Sequence, residues 1–264
     1  MADNARRYTA DKSARYIKQP MRDITLLELL KSGAHFGHTT SRWNPKMKPY
    51  IFTTRNDIHI LDLEQTKQGM EKAAKFAKET VSKGGIILFV GTKRQSKEIL
   101  KKAALACGVP YVNVRWLGGT FTNFKTIQKT IRKMEKLESL KAAGELESRY
   151  TKKERLLIER EIEKMKKLFE GVQNMKKLPD AIFVTDVKHD AIAVKEAQKS
   201  KVKIIGLVDT NCNPEGIDYV IPCNDDATKT IELMCAVLSE AVNEGRQTQT
   251  VLKTEDKIAE VKPA

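Results

Sequence analysis

The sequence predicts an α/β fold: a parallel five-stranded sheet in three layers, interrupted by an inserted α-helical coiled-coil hairpin. Two patterns carry this reading. Short, fully apolar runs alternate with stretches of helical periodicity, as parallel strands require, since each must be joined to the next by a crossover. Between the second and third runs, about sixty residues instead carry two apolar stripes at heptad spacing.

Residues 1–20 show no hydrophobic periodicity and read as a basic flexible arm. Ile24-Thr-Leu-Leu-Glu-Leu-Leu30 reads as a short helix stopped at Gly33. Pro45 and Pro49 bracket an irregular stretch, and the β-like runs Tyr50-Ile-Phe52 and Ile58-His-Ile-Leu61 around Arg55-Asn-Asp57 predict a hairpin. Helical spacing then runs from Glu64 to Lys83 and ends at Gly84-Gly85.

Ile86-Ile-Leu-Phe-Val90 is apolar throughout and too short for a helix, so it is a buried strand. A helix over Ser96 to Cys107 leads to a second strand, Tyr111 to Val114. Ala181 to Val184 is the third strand, followed by a helix over His189 to Ser200. Val202 to Val208 and Tyr219 to Ile221 are the fourth and fifth, with a last helix through about Val242. Within the insertion, Phe124, Ile127, Ile131 and Met134 line one helix. Ile158, Ile162, Met165, Phe169 and Val172 line the other. Ala143-Gly144 breaks the first helix, and Thr151-Lys-Lys-Glu154 is a capping box for the second. The organisation is therefore a globular domain over 21–120 and 178–245, a hairpin over 121–177, and a disordered tail over 246–264.

No apolar run approaches the ~20 residues that span a bilayer, and the N-terminus has no apolar signal core. The four cysteines lack CxxC spacing and fit reduced thiols in a cytoplasm. The net charge of +14 points to a polyanionic partner, nucleic acid first, and it is unevenly spread. Residues 1–177 carry +19, residues 178–244 carry −6, and the rest +1. The basic part suits RNA; the acidic part suits solvent or a protein partner, with Asp209, Asp225 and Asp226 as its candidate face.

The strand ends hold polar loops, so a soluble α/β enzyme acting on a phosphorylated or nucleotide ligand is the competing reading. Against it, the first loop lacks both GxGxxG and GxxxxGK[ST], so no nucleotide cofactor is expected. A free nucleic-acid-binding regulator shares the charge but not the recognition motifs. Asp209, Asp225 and Asp226 could converge on a divalent ion, though helix capping explains them more simply. His35 and His38 at i, i+3 read as packing or RNA contact rather than metal ligands.

The basic and aromatic clusters say more. Arg42, Lys46 and Lys48 surround Trp43 on a proline-held segment, Lys93 and Arg94 follow the first strand, and Arg115-Trp116 precedes a Gly-Gly turn. Lys125, Lys129, Arg132 and Lys133 lie on the first hairpin helix, and Lys152, Lys153 and Arg155 open the second. Such cations bind phosphates, and an exposed tryptophan stacks on a base; each tryptophan could equally be core. The hairpin's +7 exceeds what i,i+4 pairing within it absorbs.

Seven segments taken together resemble the bacterial small-subunit ribosomal protein two family over about residues 21–246. They are Leu29-Leu-Lys-Ser-Gly-Ala-His-Phe-Gly-His38, Trp43-Asn-Pro-Lys-Met-Lys-Pro49, Ile87-Leu-Phe-Val-Gly-Thr-Lys-Arg94 and Arg115-Trp-Leu-Gly-Gly-Thr-Phe-Thr-Asn123. The others are Leu178-Pro-Asp-Ala-Ile-Phe-Val184, Val208-Asp-Thr-Asn211 and Ile221-Pro-Cys-Asn-Asp-Asp226. The resemblance implies a flavodoxin-like sheet, a non-catalytic role and 16S rRNA binding in the 30S subunit of a bacterial cytoplasm. It also implies contact with neighbouring small-subunit proteins and help in holding the mRNA-binding ribosomal protein one, with no membrane or small-molecule substrate. The arm is longer than the common pattern, and Cys223 stands where many relatives have glycine.

Overall fold

A computed structural model describes residues 24–260, with the side chains of 147, 148 and 251–260 left aside. The first helix, α1 (Leu26–Ser32), opens on a reciprocal Thr25–Glu28 capping box and closes on Gly33 in the left-handed conformation. Strands β1 (Phe36–Thr39), β2 (Ile51–Arg55) and β3 (Ile58–Leu61) form an antiparallel sheet in the order β1-β3-β2. The β2–β3 turn has positive φ at both Asn56 (48°) and Asp57 (59°), the geometry of a two-residue hairpin turn. β1 is not evident in the sequence: it is four residues long and interrupted by Gly37, so no alternation shows.

The main sheet contains β4 (Ile87–Val90), β5 (Tyr111–Val112), β6 (Ala181–Val184), β7 (Lys203–Val208) and β8 (Tyr219–Pro222). All pairings are parallel, in the order β5-β4-β6-β7-β8. This is the flavodoxin-like order, with a switch point between β4 and β6. Alternation within the strands sorts the core into two. Ile87, Phe89 and Phe183 face α2 (Leu63–Ser82), α3 (Lys97–Cys107) and α8 (Thr228–Glu260). Leu88, Val90, Ile182 and Val184 face α7 (Ala191–Lys199) and the root of the insertion. The sheet is thus the middle of three layers.

The insertion runs α4 (Phe124–Ala142), α5 (Glu145–Arg149) and α6 (Lys152–Phe169). Gly144 in the left-handed conformation ends the first arm, and Thr151–Glu154 caps the last helix. Cross-contacts descend one arm as they ascend the other, Gln128 with Lys176 and Lys141 with Glu159, so the arms are antiparallel. Ile131 and Met134 are buried opposite Ile162, Met165 and Phe169.

The C-terminus departs from expectation. α8 continues to Glu260 instead of giving way to a disordered tail at Arg246. Gly245 allows the close approach, since a Cβ there would lie 2.6 Å from the Lys78 carbonyl of α2. The Arg246 guanidinium then donates to the Gly108 carbonyl at 2.8 Å, tying this turn to the end of α3. The arm at residues 1–20 lies outside the described residues.

Candidate functional site

In a doubly wound sheet the crevice at the switch point is where ligands enter. Here the chain's own charged side chains enter it. Lys93, on the loop after β4, places its Nζ 2.7 Å from Asp186 after β6, 2.8 Å from Asp226 and 3.0 Å from Asp225. Burial alone would lower the lysine pKa; hydrogen bonds to Asp186 and Asp226 and the charge of Asp225 outweigh it and raise it, so the ammonium persists. Burial, then the charges of Asp186 and Asp209, push the Asp225 carboxyl up to about 7 against the pull of Lys93. Asp186 also accepts from the Lys188 and His189 amides, and Asp190 accepts from the Thr92 hydroxyl and amide.

The antiparallel sheet closes over this edge. The His38 amide donates to Thr210 Oγ1 at 2.8 Å, and the Asn44 amide to the Thr210 carbonyl at 2.8 Å. Gly37 is required here because a Cβ would lie 2.5 Å from Thr210 Cγ2. The His38 ring bridges Asp209 (3.0 Å) and Asp226 (3.5 Å). The hydrogen bond to Asp209 raises its pKa despite burial, with the charges of Asp209, Asp225 and Asp226 adding to the effect. His35 packs its ring on Phe36 instead, and burial lowers its pKa. Asp186, Cys212 and Asp225 bring three donor atoms within 4.8 Å of one another. A lysine ammonium already compensates both carboxylates, and burial, then the charges of Asp225 and Asp186, push the Cys212 thiol up to about 12.

Two expectations need correction. Asp209 and Asp225 do not form an outward acidic face with Asp226: they are 1% and 2% exposed, and Asp226 alone, at 47%, reaches solvent. Their charges are directed inward, to His38 and Lys93, because carboxylates this deep need cationic partners. Lys93 and Trp116 likewise leave the RNA-facing set. Lys93 is held in the ion cluster, and Trp116 is 6% exposed, edge-on to Phe121 at 5.0 Å. Its indole N–H points to the Glu196 carboxylate at 3.4 Å. Glu196 also accepts from the amides of Gly119 (2.6 Å), Phe121 (2.9 Å) and Thr122 (3.3 Å). Burial opposes the charge on Glu196, but these donors overcome it and lower its pKa.

The remaining cations are better placed for an outside partner. The Asn44 side chain caps the short 3₁₀ helix Pro45–Tyr50, which carries Lys46 and Lys48; both are exposed, as is Arg42. Lys46 pairs with Glu215, and half-buried Trp43 lies against His59 at 5.1 Å. Arg94 and Arg115, on the loops after β4 and β5, are exposed. On the insertion, Lys125, Lys129, Arg132, Lys152 and Lys153 are exposed, Lys133 pairs with Glu161, and Arg155 is half-buried. Four further exposed cations, Lys136, Arg160, Lys164 and Lys167, belong with them. Lys136 follows Arg132 by four residues, and Arg160, Lys164 and Lys167 follow Lys153 at spacings of 7, 4 and 3, the helical repeat that marks them in the sequence. No helix among the described residues is long and apolar enough to cross a membrane.

The fold and site define a flavodoxin-like doubly wound protein with its own ion cluster at the switch point and exposed cations on loops and an inserted hairpin. Comparison with known sequences identifies the family. The family described as Ribosomal protein S2 matches residues 29–245. A small ribosomal subunit protein uS2 from Roseiflexus sp. (strain RS-1) is 49% identical over 88% of this chain and 88% of its own length. Proteins of the same description from Acidothermus cellulolyticus (45%, covering 91% and 87%) and Mycobacteroides abscessus (48%, covering 87% and 82%) are similar. The chain belongs to the ribosomal protein S2 family of the small ribosomal subunit and is not an enzyme.

Proposed function

We propose that the chain binds 16S ribosomal RNA in the bacterial 30S subunit through the exposed cations of the Arg42–Lys48 segment, Arg94, Arg115 and the hairpin. The observation that carries this is the hairpin surface, where Lys125, Lys129, Arg132, Lys152 and Lys153 are exposed with no ion-pair partner among the described residues. Cations unpaired among the described residues suit a polyanion, whose bound counterions they release. In this reading residues 121–177 are an RNA-engaging arm on a globular body formed by 21–120 and 178–245.

The same reading gives the chain a part in seating ribosomal protein one beside its other small-subunit neighbours. With Asp209 and Asp225 turned inward, what supports this is apolar: Leu26, Leu27 and Leu30 on α1 are 42%, 66% and 48% exposed. Deleting residues 125–177 tests the RNA assignment. Incorporation into small subunits should fall, and unchanged incorporation refutes the arm's role.

A further inference from the structure

The hairpin sorts its charges by face. Four of its carboxylates, Glu135, Glu138, Glu159 and Glu161, are engaged between its two arms. Lys133 meets Glu161 at 2.8 Å, Lys141 meets Glu159 at 2.9 Å and Lys166 meets Glu138 at 3.1 Å. Glu135 accepts from Gln173 at 3.3 Å. The outward faces are different. Lys125, Lys129, Arg132 and Lys136 recur at spacings of 4, 3 and 4, a straight stripe on α4 about half a turn from buried Ile131 and Met134. Lys153, Arg160, Lys164 and Lys167 recur at 7, 4 and 3, a second stripe about half a turn from Ile162, Met165 and Phe169. All eight are exposed, and none has an ion-pair partner among the described residues. Glu163 flanks the second stripe and leaves it a net +3.

Each helix turns its apolar side to the other, so the two stripes point away from one another. Two helices of ~10 Å diameter set the stripes ~20 Å apart, more than twice the Debye length of about 8 Å at physiological salt. A single phosphate backbone lying on one face therefore cannot compensate the other. Like charges at i,i+3 and i,i+4 destabilise a helix, so each stripe calls for its own counter-charge. We propose that the hairpin stands between two separate segments of ribosomal RNA and neutralises phosphates on both sides, one segment per stripe. This rests on the RNA-binding reading and sharpens it: the arm is a two-sided bridge, not a one-sided grip.

The test uses full-length protein reconstituted into small subunits lacking it, with hydroxyl-radical footprinting of the 16S rRNA. One variant is K125Q/K129Q/R132Q/K136Q and the other is K153Q/R160Q/K164Q/K167Q. Each should abolish protection of a different rRNA segment and leave the other segment's protection intact. Each should also flatten the dependence of log affinity on log salt, by about 0.7–0.9 for every phosphate that the variant leaves without its cation. Loss of the same segment in both variants, in only one of them, or in neither overturns the bridge. If a fourfold variant fails to fold, the pairs K125Q/R132Q and R160Q/K167Q ask the same question with half-sized effects. Deletion of 125–177 separates the two levels. If it leaves every protection in place, the RNA-binding arm itself is refuted; if it removes protections that the stripe variants do not divide, only the bridge is.

Discussion

Lys93 and Asp186 meet at 2.7 Å across the point where the sheet order reverses, joining the end of β4 to the end of β6. The pair occupies the position at which related topologies admit a ligand. It makes the strand-end edge a structural joint, with Asp225, Asp226 and His38 completing the link to β8 and to the antiparallel sheet.

Removing the lysine should therefore weaken the fold and spare the exposed cations of the loops and hairpin. Lys93→Met leaves Asp186 and Asp225 buried without their cation, a change that costs about 3–5 kcal/mol in comparable buried pairs. Urea denaturation should show the loss as a lower midpoint. A midpoint within experimental error of the parent would contradict the joint.

The cluster also gives stability a pH dependence of defined sign. Both His38 and Asp225 have raised folded pKa values, so each favours the fold in its protonated form. Their contribution is full below the unfolded values, near 6.5 for histidine and 3.8 for aspartate. It is lost as pH rises, through about 7 for Asp225. Thermal midpoints should fall as pH rises from about 4 through about 7, and Asp225→Asn should flatten the slope, because an amide has no proton to lose. A slope unchanged in that variant would remove Asp225 from the account.

Glu196 organises the turn that leads into the hairpin. Glu196→Gln replaces an acceptor for three amides with a group that carries its own donors. The loss should be on the order of 2–3 kcal/mol, as expected for buried N–H groups left unsatisfied. Trp116, whose indole faces Glu196, should report it by a red-shifted fluorescence maximum.

Closure of the small sheet on the large one depends on Gly37. Gly37→Ala sets a methyl 2.5 Å from Thr210 Cγ2 and should cost roughly 1–3 kcal/mol by overpacking. Thr210→Ser deletes that methyl but keeps Oγ1, 2.8 Å from the same Cβ, so the double variant should recover part of the loss and be more stable than the two single effects added together. Strict additivity would place the strain elsewhere.

What the sequence makes legible depends on where the signals lie along the chain. Ile86 to Val90 and Ala181 to Val184 announce buried strands because both of their faces are covered, leaving no polar position. The hairpin shows through its 3–4 spacing and its Thr151 cap. The ion cluster does not show, because Lys93, Asp186 and Asp225 lie far apart in sequence and meet only when parallel strands align their ends. A lone lysine after a strand looks the same whether it reaches solvent or two buried carboxylates. Trp116 is ambiguous in the sequence for the same reason: its partner, Glu196, is 80 residues away.

The most direct measurement is the affinity of the full chain for small subunits depleted of it, taken from about 50 to 200 mM salt. If exposed cations hold the protein on ribosomal RNA, log affinity falls linearly with log salt, and the K125Q/K129Q/R132Q/K136Q variant gives a shallower line. An affinity independent of salt, or a slope the variant leaves unchanged, would contradict it.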